Sequence, residues 1–281
     1  MEPRATVDSF GLTDRGKRRE TNEDQFLLAT FRKVIEVSST SLPDEYQREF
    51  GSRPRAHLFI VADGLGGMAR GERASSVTLD AVAHYITCGM QCFYDLDEAA
   101  ETDLTDQLAE SARRSHERVL ADAETTSGAK GMATTLTMAY VIWPRAYVVH
   151  IGDSRCYHLR GSSLTQVTTD QTVAQRLVEK GLLDPEAAKD DPTSHVLTQA
   201  VGGQVTHISP EIATIDLEVG DAIVLCTDGL TKHVADEDIA RHTAQASSAQ
   251  AACEALVQDA LDGGGTDNVT VTVGRFSERV T

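Results

Sequence analysis

Short apolar runs bounded by glycine, proline, asparagine and aspartate dominate the pattern along this chain. They predict strands over residues 7–12, 25–31 and 57–62, the last ending at Asp63-Gly64. Between the second and third runs lies a polar stretch, residues 33–55, with Ser38-Ser39-Thr40-Ser41, Pro43, Gly51 and Pro54. That is long for a hairpin connection and is expected to be a surface excursion. Helical spacing replaces alternation over residues 71–89, where Ala74, Val77, Ala81, Val82, Tyr85 and Ile86 recur on one face, and a more polar helix is expected over 96–123. Strands resume at 134–143, 145–151 and 155–159, with tight turns at Trp143-Pro144-Arg145 and Arg160-Gly161-Ser162. Residues 134–143 are apolar on both faces (Leu136, Met138, Tyr140 and Ile142 against Ala139 and Val141), which predicts a strand covered on both sides. Beyond it, 172–180 reads as helix, 184–192 as polar loop, 208–217 and 222–227 as strands, 236–246 and 248–261 as helices, and 269–276 as a last strand.

Mostly antiparallel strands with helices inserted in pairs predict an α+β architecture: two packed, mostly antiparallel β-sheets forming a sandwich flanked by helical pairs, in αββα layers. No internal repeat or linker divides the pattern, so residues 1–281 are expected to form a single domain, which is long enough to bury a substantial core. A hydrophobic content of 41% with 25% charged residues is that of a soluble globular protein, and no apolar stretch approaches the length of a bilayer span. Residues 1–6 lack the apolar core of a signal peptide, so the expected compartment is the cytoplasm.

The formal net charge of −17 argues against nucleic acid or an anionic membrane as a partner, since both bind basic surfaces. Cys88, Cys92, Cys156, Cys226 and Cys253 complete no zinc set and read as buried free thiols. His57, His84, His116, His150, His158, His207 and His242 show no ligand spacing.

The acids carry the chemistry. Asn22-Glu23-Asp24, Asp63-Gly64, Gly152-Asp153-Ser154-Arg155, Asp228-Gly229 and Asp267-Asn268 each stand in a tight, glycine- or asparagine-bearing context, and three of the five directly follow a predicted strand. A single Asp-Gly pair is ordinarily just a turn. Here, however, Asp63-Gly64 and Asp228-Gly229 both terminate apolar strands, and Asp267 follows Gly263-Gly264-Gly265. Carboxylates gathered at strand ends repel one another unless cations lie between them, and all-oxygen ligation selects hard ions such as Mg²⁺ or Mn²⁺. A phosphate monoester would likewise be repelled until cations reverse the local sign.

In order along the chain stand Asp14-Arg15-Gly16 through Arg19-Glu20-Thr21-Asn22-Glu23-Asp24, Phe59-Ile60-Val61-Ala62-Asp63-Gly64-Leu65-Gly66-Gly67, Gly131-Met132-Ala133-Thr134-Thr135, Gly152-Asp153-Ser154-Arg155, Leu225-Cys226-Thr227-Asp228-Gly229-Leu230, and Thr266-Asp267-Asn268-Val269-Thr270. With these six motifs the chain, from about residue 10 to 274, resembles the protein phosphatase 2C family of metal-dependent serine/threonine phosphatases, in its bacterial form.

The resemblance implies hydrolysis of phosphoserine and phosphothreonine in proteins by direct in-line attack of a water or hydroxide shared between two Mn²⁺ or Mg²⁺ ions, without a phosphoenzyme. It also implies that Asp63 bridges the ions with the Gly64 carbonyl and waters completing one shell, that Asp228 and Asp267 hold the other, and that Glu23 and Asp24 act through bound water. Arg19 would bind the substrate phosphoryl group, while Lys17 and Arg18 read as a solvated patch. Asp153 is the candidate ligand of a third, weaker ion; a turn aspartate paired with Arg155 is the alternative.

Two departures stand out. Leu65 replaces the histidine that animal members carry after the Asp-Gly, so no side chain there donates a proton, and Asp170-Gln171-Thr172 replaces Asp-His-Ser in the flap, residues 160–207. The partners implied are phosphorylated proteins and a cognate serine/threonine kinase, acting on a monomer. A hydrolase of small phosphoesters and a catalytically silent phosphoprotein-binding module of the same fold are the alternatives; the second would be expected to have lost Asp63, Asp228 or Asp267, and all three are present.

Overall fold

The computed structural model describes residues 5–32, 39, 41, 43, 54–67, 69–90, 98–189 and 191–278, and in it the apolar runs become antiparallel strands. Strands β1 (Ala5–Asp14), β2 (Gln25–Arg32) and β3 (Pro54–Ala62) are followed by the two-residue β4 (Gly64–Leu65). Two helices come next: α1 (Ala69–His84), which runs into a π-helical turn at Tyr85–Gly89, and α2 (Glu98–Thr125). Then come β5 (Ala133–Thr134), β6 (Leu136–Ile142), β7 (Arg145–Ile151), β8 (Arg155–Arg160) and β9 (Ser163–Gln166). The flap contributes α3 (Val173–Glu179), α4 (Pro185–Lys189), a 3₁₀ turn at Pro192–His195 and β10 (Val201–Gly202). Strands β11 (Glu211–Asp216) and β12 (Ala222–Cys226), helices α5 (Asp228–Thr231), α6 (Asp236–Gln245) and α7 (Ala249–Asp262), and strand β13 (Val269–Glu278) complete the order.

One five-stranded sheet has the order β1-β13-β12-β8-β9, a second β11-β7-β6-β3-β2, and β10-β5-β4 form a small third. The pairings are antiparallel throughout. Between the two large sheets lies a layer of Phe59, Val61, Ala139, Val141, Ile223 and Phe276. Small residues make room for the rings in it: a Cβ on Gly274 of β13 would strike the Phe59 ring, so the two sheets can close to this distance only with glycine there. The outer faces of β3, β6 and β7 present Leu58, Ile60, Leu136, Met138 and Tyr147 to α1 and α2. On the other side Val224, Val271 and Val273 meet Leu256, Val257 and Ala260 of α7. The strand β6 is thus covered on both faces, as its two-sided apolar pattern requires.

The differences are local. The polar stretch 184–192 is not loop: α4 and the 3₁₀ turn form there, the latter capped by Asp191, whose carboxylate accepts the Thr193 N–H at 2.8 Å. Residues 134–143 split between β5 and β6, and α5 begins at Asp228 directly after β12. Cys88 is exposed, whereas Cys156, Cys226 and Cys253 are buried and free; Cys92 and most of the 33–55 excursion lie outside the described residues.

His150 is a buried histidine of β7 without charge compensation in contact. Its Nε2–H donates to the Thr169 carbonyl at 3.1 Å, and its Nδ1 lies 2.9 Å from the Thr137 hydroxyl. Burial pulls its pKa down from 6.5 to about 4. The unfolded chain therefore takes up a proton that the fold refuses, and stability is full above pH 6.5 and is lost as the pH falls from 6.5 towards 4, by roughly 3 kcal/mol for this group alone. Urea unfolding of wild type and His150→Gln at pH 7 and pH 5 should show a smaller acid loss in the variant; equal losses would mean that His150 does not set this slope.

Candidate functional site

Strand register brings the acids together. Gln25 of β2 pairs with Ala62 of β3, so Asp24, one residue before, and Asp63, one residue after, leave the same end of that sheet. In the other sheet Asp14 pairs with Val269 and Cys226 with Val271, so the Arg15–Asp24 loop, Asp228 and Asp267-Asn268 also emerge side by side. Leu136 pairs with Ile151, which delivers Gly152-Asp153 to the same region.

Backbone and hydroxyl groups then fix each carboxylate. The Asp63 N–H donates to the Thr135 hydroxyl at 2.9 Å, while its carbonyl accepts from the Thr135 N–H at 2.9 Å and the Thr134 hydroxyl at 2.8 Å. The Thr135 hydroxyl also meets Ser154 Oγ at 2.7 Å, which ties the strand end bearing Asp63 to the turn bearing Asp153. Asp24 is buried, and one oxygen, Oδ2, accepts from the hydroxyls of Thr227 at 2.8 Å and Thr270 at 2.7 Å. Gly64 and Gly71 bring the backbones of β4 and α1 against Glu23, and a Cβ on either would overlap its neighbours. Glu23 is buried beside them, with its carbonyl accepting the Ser75 hydroxyl at 2.7 Å.

Arg19 and Lys232 supply the positive charge. Arg19 grips Asp267 with Nε on Oδ1 at 2.7 Å and Nη2 on Oδ2 at 2.9 Å. Lys232 Nζ lies 2.6 Å from Asp228 Oδ2 and 2.8 Å from Asp267 Oδ2. Burial works against the Asp267 charge, but Arg19 and Lys232 outweigh it and hold the carboxyl below its ordinary value. The other acids lack direct pairing: among the described residues no ion pair joins Asp24, Asp63 or Asp153 to a base, although the charge of Lys232 works against part of the rise at Asp153. Burial first, and then the charge of Asp24, pushes Asp63 well up; burial pushes Asp24 up to about 7 and, with the charge of Asp228, Asp153 up to about 8. For carboxyls raised in this way the fold is favoured at low pH and loses stability as the pH rises from about 4 towards 7 and 8, unless a cation replaces the proton.

Among the described residues no three His, Cys, Asp or Glu side chains close on one point as a complete ligand set. The donors nevertheless suit hard divalent cations. They are all oxygen, they repel one another, and Asp24 Oδ1 and Asp228 Oδ1 are buried with no hydrogen-bond partner. Ions of this kind keep several waters, so an incomplete protein shell is what they take.

A model of the family described as protein phosphatase 2C matches residues 37–263. The chain belongs to this family. The serine/threonine protein phosphatase PstP of Mycobacterium tuberculosis is 38% identical over 218 residues, which are 78% of this chain and 40% of that one. The chain therefore spans well under half the length of PstP. Protein phosphatase PhpP of Streptococcus pneumoniae is 29% identical over 267 residues, 95% of this chain and 96% of PhpP. The crystal structure of the PstP catalytic domain in complex with two manganese ions superposes with a TM-score of 0.75 at 32% identity, covering 98% of this chain and all of that one.

Several positions of the family motifs take on roles that spacing does not disclose. Arg155 pairs with Asp170, at 2.7 to 3.1 Å, and not with Asp153. Where the flap departs from the family, Gln171 Oε1 accepts the Gly152 N–H at 3.0 Å and the Thr172 hydroxyl caps α3 by accepting the Gln175 N–H at 3.2 Å. Lys232 and His233 were silent in the sequence, although Lys232 stands one helical turn after Asp228; His233 Nε2 accepts the Thr266 N–H at 3.1 Å beside Asp267. Asn268 is the central tie. Its Nδ2 donates to the carbonyls of Arg15 and Thr21, and its Oδ1 accepts the Glu23 N–H, each at 2.9 Å.

Asn268→Ala removes all three of these bonds and should cost about 2–4 kcal/mol. Amide exchange should show the Glu23 N–H freed while strand β6 stays protected; an unchanged exchange rate at Glu23 would mean that the Arg15–Glu23 loop is held by other groups.

Proposed function

We propose that this chain is a metal-dependent phosphatase of phosphoserine and phosphothreonine in proteins, with the described sheets and helices acting as one catalytic unit. The observation that carries the reading is the meeting of Asp24, Asp63, Asp153, Asp228 and Asp267 at one end of both large sheets, with Arg19 at its rim. Asp63, the Gly64 carbonyl, Asp228 and Asp267 would hold Mn²⁺ or Mg²⁺, with Glu23 and Asp24 positioning water and Asp153 available to a third ion. Bound there, such ions supply Lewis acidity and bring the pKa of water near neutrality.

The protein's own contribution is placement. The Thr134–Thr135 clamp holds the main chain of Asp63 at both its N–H and its carbonyl, so that carboxylate is aimed before substrate arrives. Arg19, whose side chain is 53% exposed, can exchange the oxygens of Asp267 for those of a phosphoryl group with the same planar fork. A cleft of about 660 Å³ runs from Asp153 and Asp228 past Ser194 and His195 to Asp236, giving room for the residues that flank a phosphorylated side chain. Leu65, in β4, has no proton to donate to the leaving alkoxide, so protonation falls to water or to another group. Phosphorylated proteins are the substrates in this reading, a serine/threonine kinase is the opposing activity, and the cytoplasm is the compartment. Among the described residues no helix is long and apolar enough to cross a membrane.

Chelation should abolish phosphopeptide hydrolysis and Mn²⁺ should restore it, while Asp63→Ala should lose at least about 100-fold in kcat/KM, as removal of a direct ligand exceeds the usual 10–100-fold cost of losing a supporting one. Arg19→Ala should raise KM at least as clearly as it lowers kcat. Full activity after exhaustive chelation would remove the metal from the reaction.

The proton deficit at position 65 predicts a second signature. Turnover of a phosphothreonine peptide should lag far behind that of an aryl phosphate, whose leaving group needs no proton, and Leu65→His should narrow that gap. A ratio of alkyl to aryl rates that is identical in both folded, Mn²⁺-loaded proteins would show that position 65 takes no part in protonation.

A further inference from the structure

Lys232 lies immediately beyond α5 and one turn after Asp228, so its side chain folds back over the preceding turn toward the carboxylates. Its ammonium touches Asp228 Oδ2 at 2.6 Å and Asp267 Oδ2 at 2.8 Å, with the side chain 24% exposed. Both oxygens of Asp267 are already in use. Oδ1 accepts Arg19 Nε and, at 2.9 Å, the Asn268 N–H, while Oδ2 accepts Arg19 Nη2 and Lys232 Nζ. Asp228 differs in that its second oxygen, Oδ1, is buried and has no hydrogen-bond partner. The acidic cluster therefore has two unlike edges: among the described residues Asp24, Asp63 and Asp153 have no base in ion-pair contact, whereas the Asp228–Asp267 edge carries a cation of the chain's own.

A divalent ion placed on the Asp228–Asp267 edge needs the oxygens that the ammonium holds. The two cannot share them, because like charges at ion-pair distance in a partly buried site repel by several kcal/mol even at a moderate effective dielectric. Lys232 stands on four rotatable bonds and can leave, unlike a backbone donor, but leaving gives up two ion pairs. We propose that Lys232 is a built-in counter-cation that competes with the divalent ion for Asp228 and Asp267, making that position the weaker of the two and its filling dependent on displacement of the lysine. The inference rests on the metal reading of the site given above. The chain then binds its first ion at the Asp63 edge and fills the second position only as the divalent ion concentration rises enough to dislodge Lys232. Arg19 belongs to the same edge but has a second task at the rim, so Lys232 is the cation whose removal isolates the competition.

The test is calorimetric titration of Mn²⁺ into chelator-stripped wild type, Lys232→Met and Lys232→Arg. In Lys232→Met the weaker binding step should tighten by about tenfold or more, equivalent to about 1.4 kcal/mol, with the stronger step little changed. Lys232→Arg, which keeps the charge, should retain the weak step. The concentration of EDTA needed to strip Mn²⁺ should rise in Lys232→Met; this readout starts from the loaded protein and so serves even if the stripped variant does not stay folded. Unchanged or weakened binding in Lys232→Met would overturn the inference while leaving the metal reading intact. Failure of Mn²⁺ to bind wild type and variant alike would overturn both.

Discussion

Mutual repulsion among carboxylates is the constraint around which this molecule is arranged. Five aspartates converge, and left to themselves they would spread apart or take up protons, as the upward shifts of Asp24, Asp63 and Asp153 show. What holds them is neutral scaffolding. Thr227 and Thr270 donate hydroxyls to Asp24, and Thr134 and Thr135 grip the main chain of Asp63. These threonines are buried, so their bonds have little competition from water. The β-sandwich supplies the rigidity that lets such a strained gathering persist, with Gly274 allowing the sheets to close over Phe59.

The scaffold neutralises only part of what it collects. Arg19 and Lys232 settle on one edge and leave the other without a base in direct contact among the described residues. An excess of negative charge beside two unpartnered buried oxygens is a standing demand for cations, and it explains how a strongly acidic chain can belong to a family that handles an anionic substrate. The charge imbalance is thus concentrated where it can be used.

Much of this was legible before the fold. The long strands and both paired helices followed from periodicity, since β6 could be apolar on both faces only if layers covered both. Asp63, Asp228 and Asp267 stood out because each follows an apolar run or a glycine triplet, which marks a strand end and a tight turn. What escaped notice depends on proximity that spacing does not encode. Strands β4, β5 and β10 are two residues long, too short for any period, and α4 lies in a segment whose polarity reads as loop. Arg155 has Asp153 two residues away yet chooses Asp170, fifteen residues on, because the β8–β9 hairpin and its exit bring that carboxylate across. Asn268 and Lys232 act on partners that only the packed sheets bring within reach.

The pairing of β1 with β13, from Ala5 against Glu278 to Asp14 against Val269, joins segments that lie far apart in the sequence. Asn268, at the head of β13, holds Arg15, Thr21 and Glu23, while Thr270 reaches Asp24. During synthesis all of those early groups emerge long before their partners, and closing so large a loop is slow. A ribosome-bound chain that ends before Asp267 has Asp24 and Asp63 but neither Asp267 nor the Asn268 amide that positions Glu23. Such a chain cannot assemble the cluster however well its first sheet has folded. Until β13 has emerged, β12 also lacks its partner on one side, and that open edge can pair wrongly.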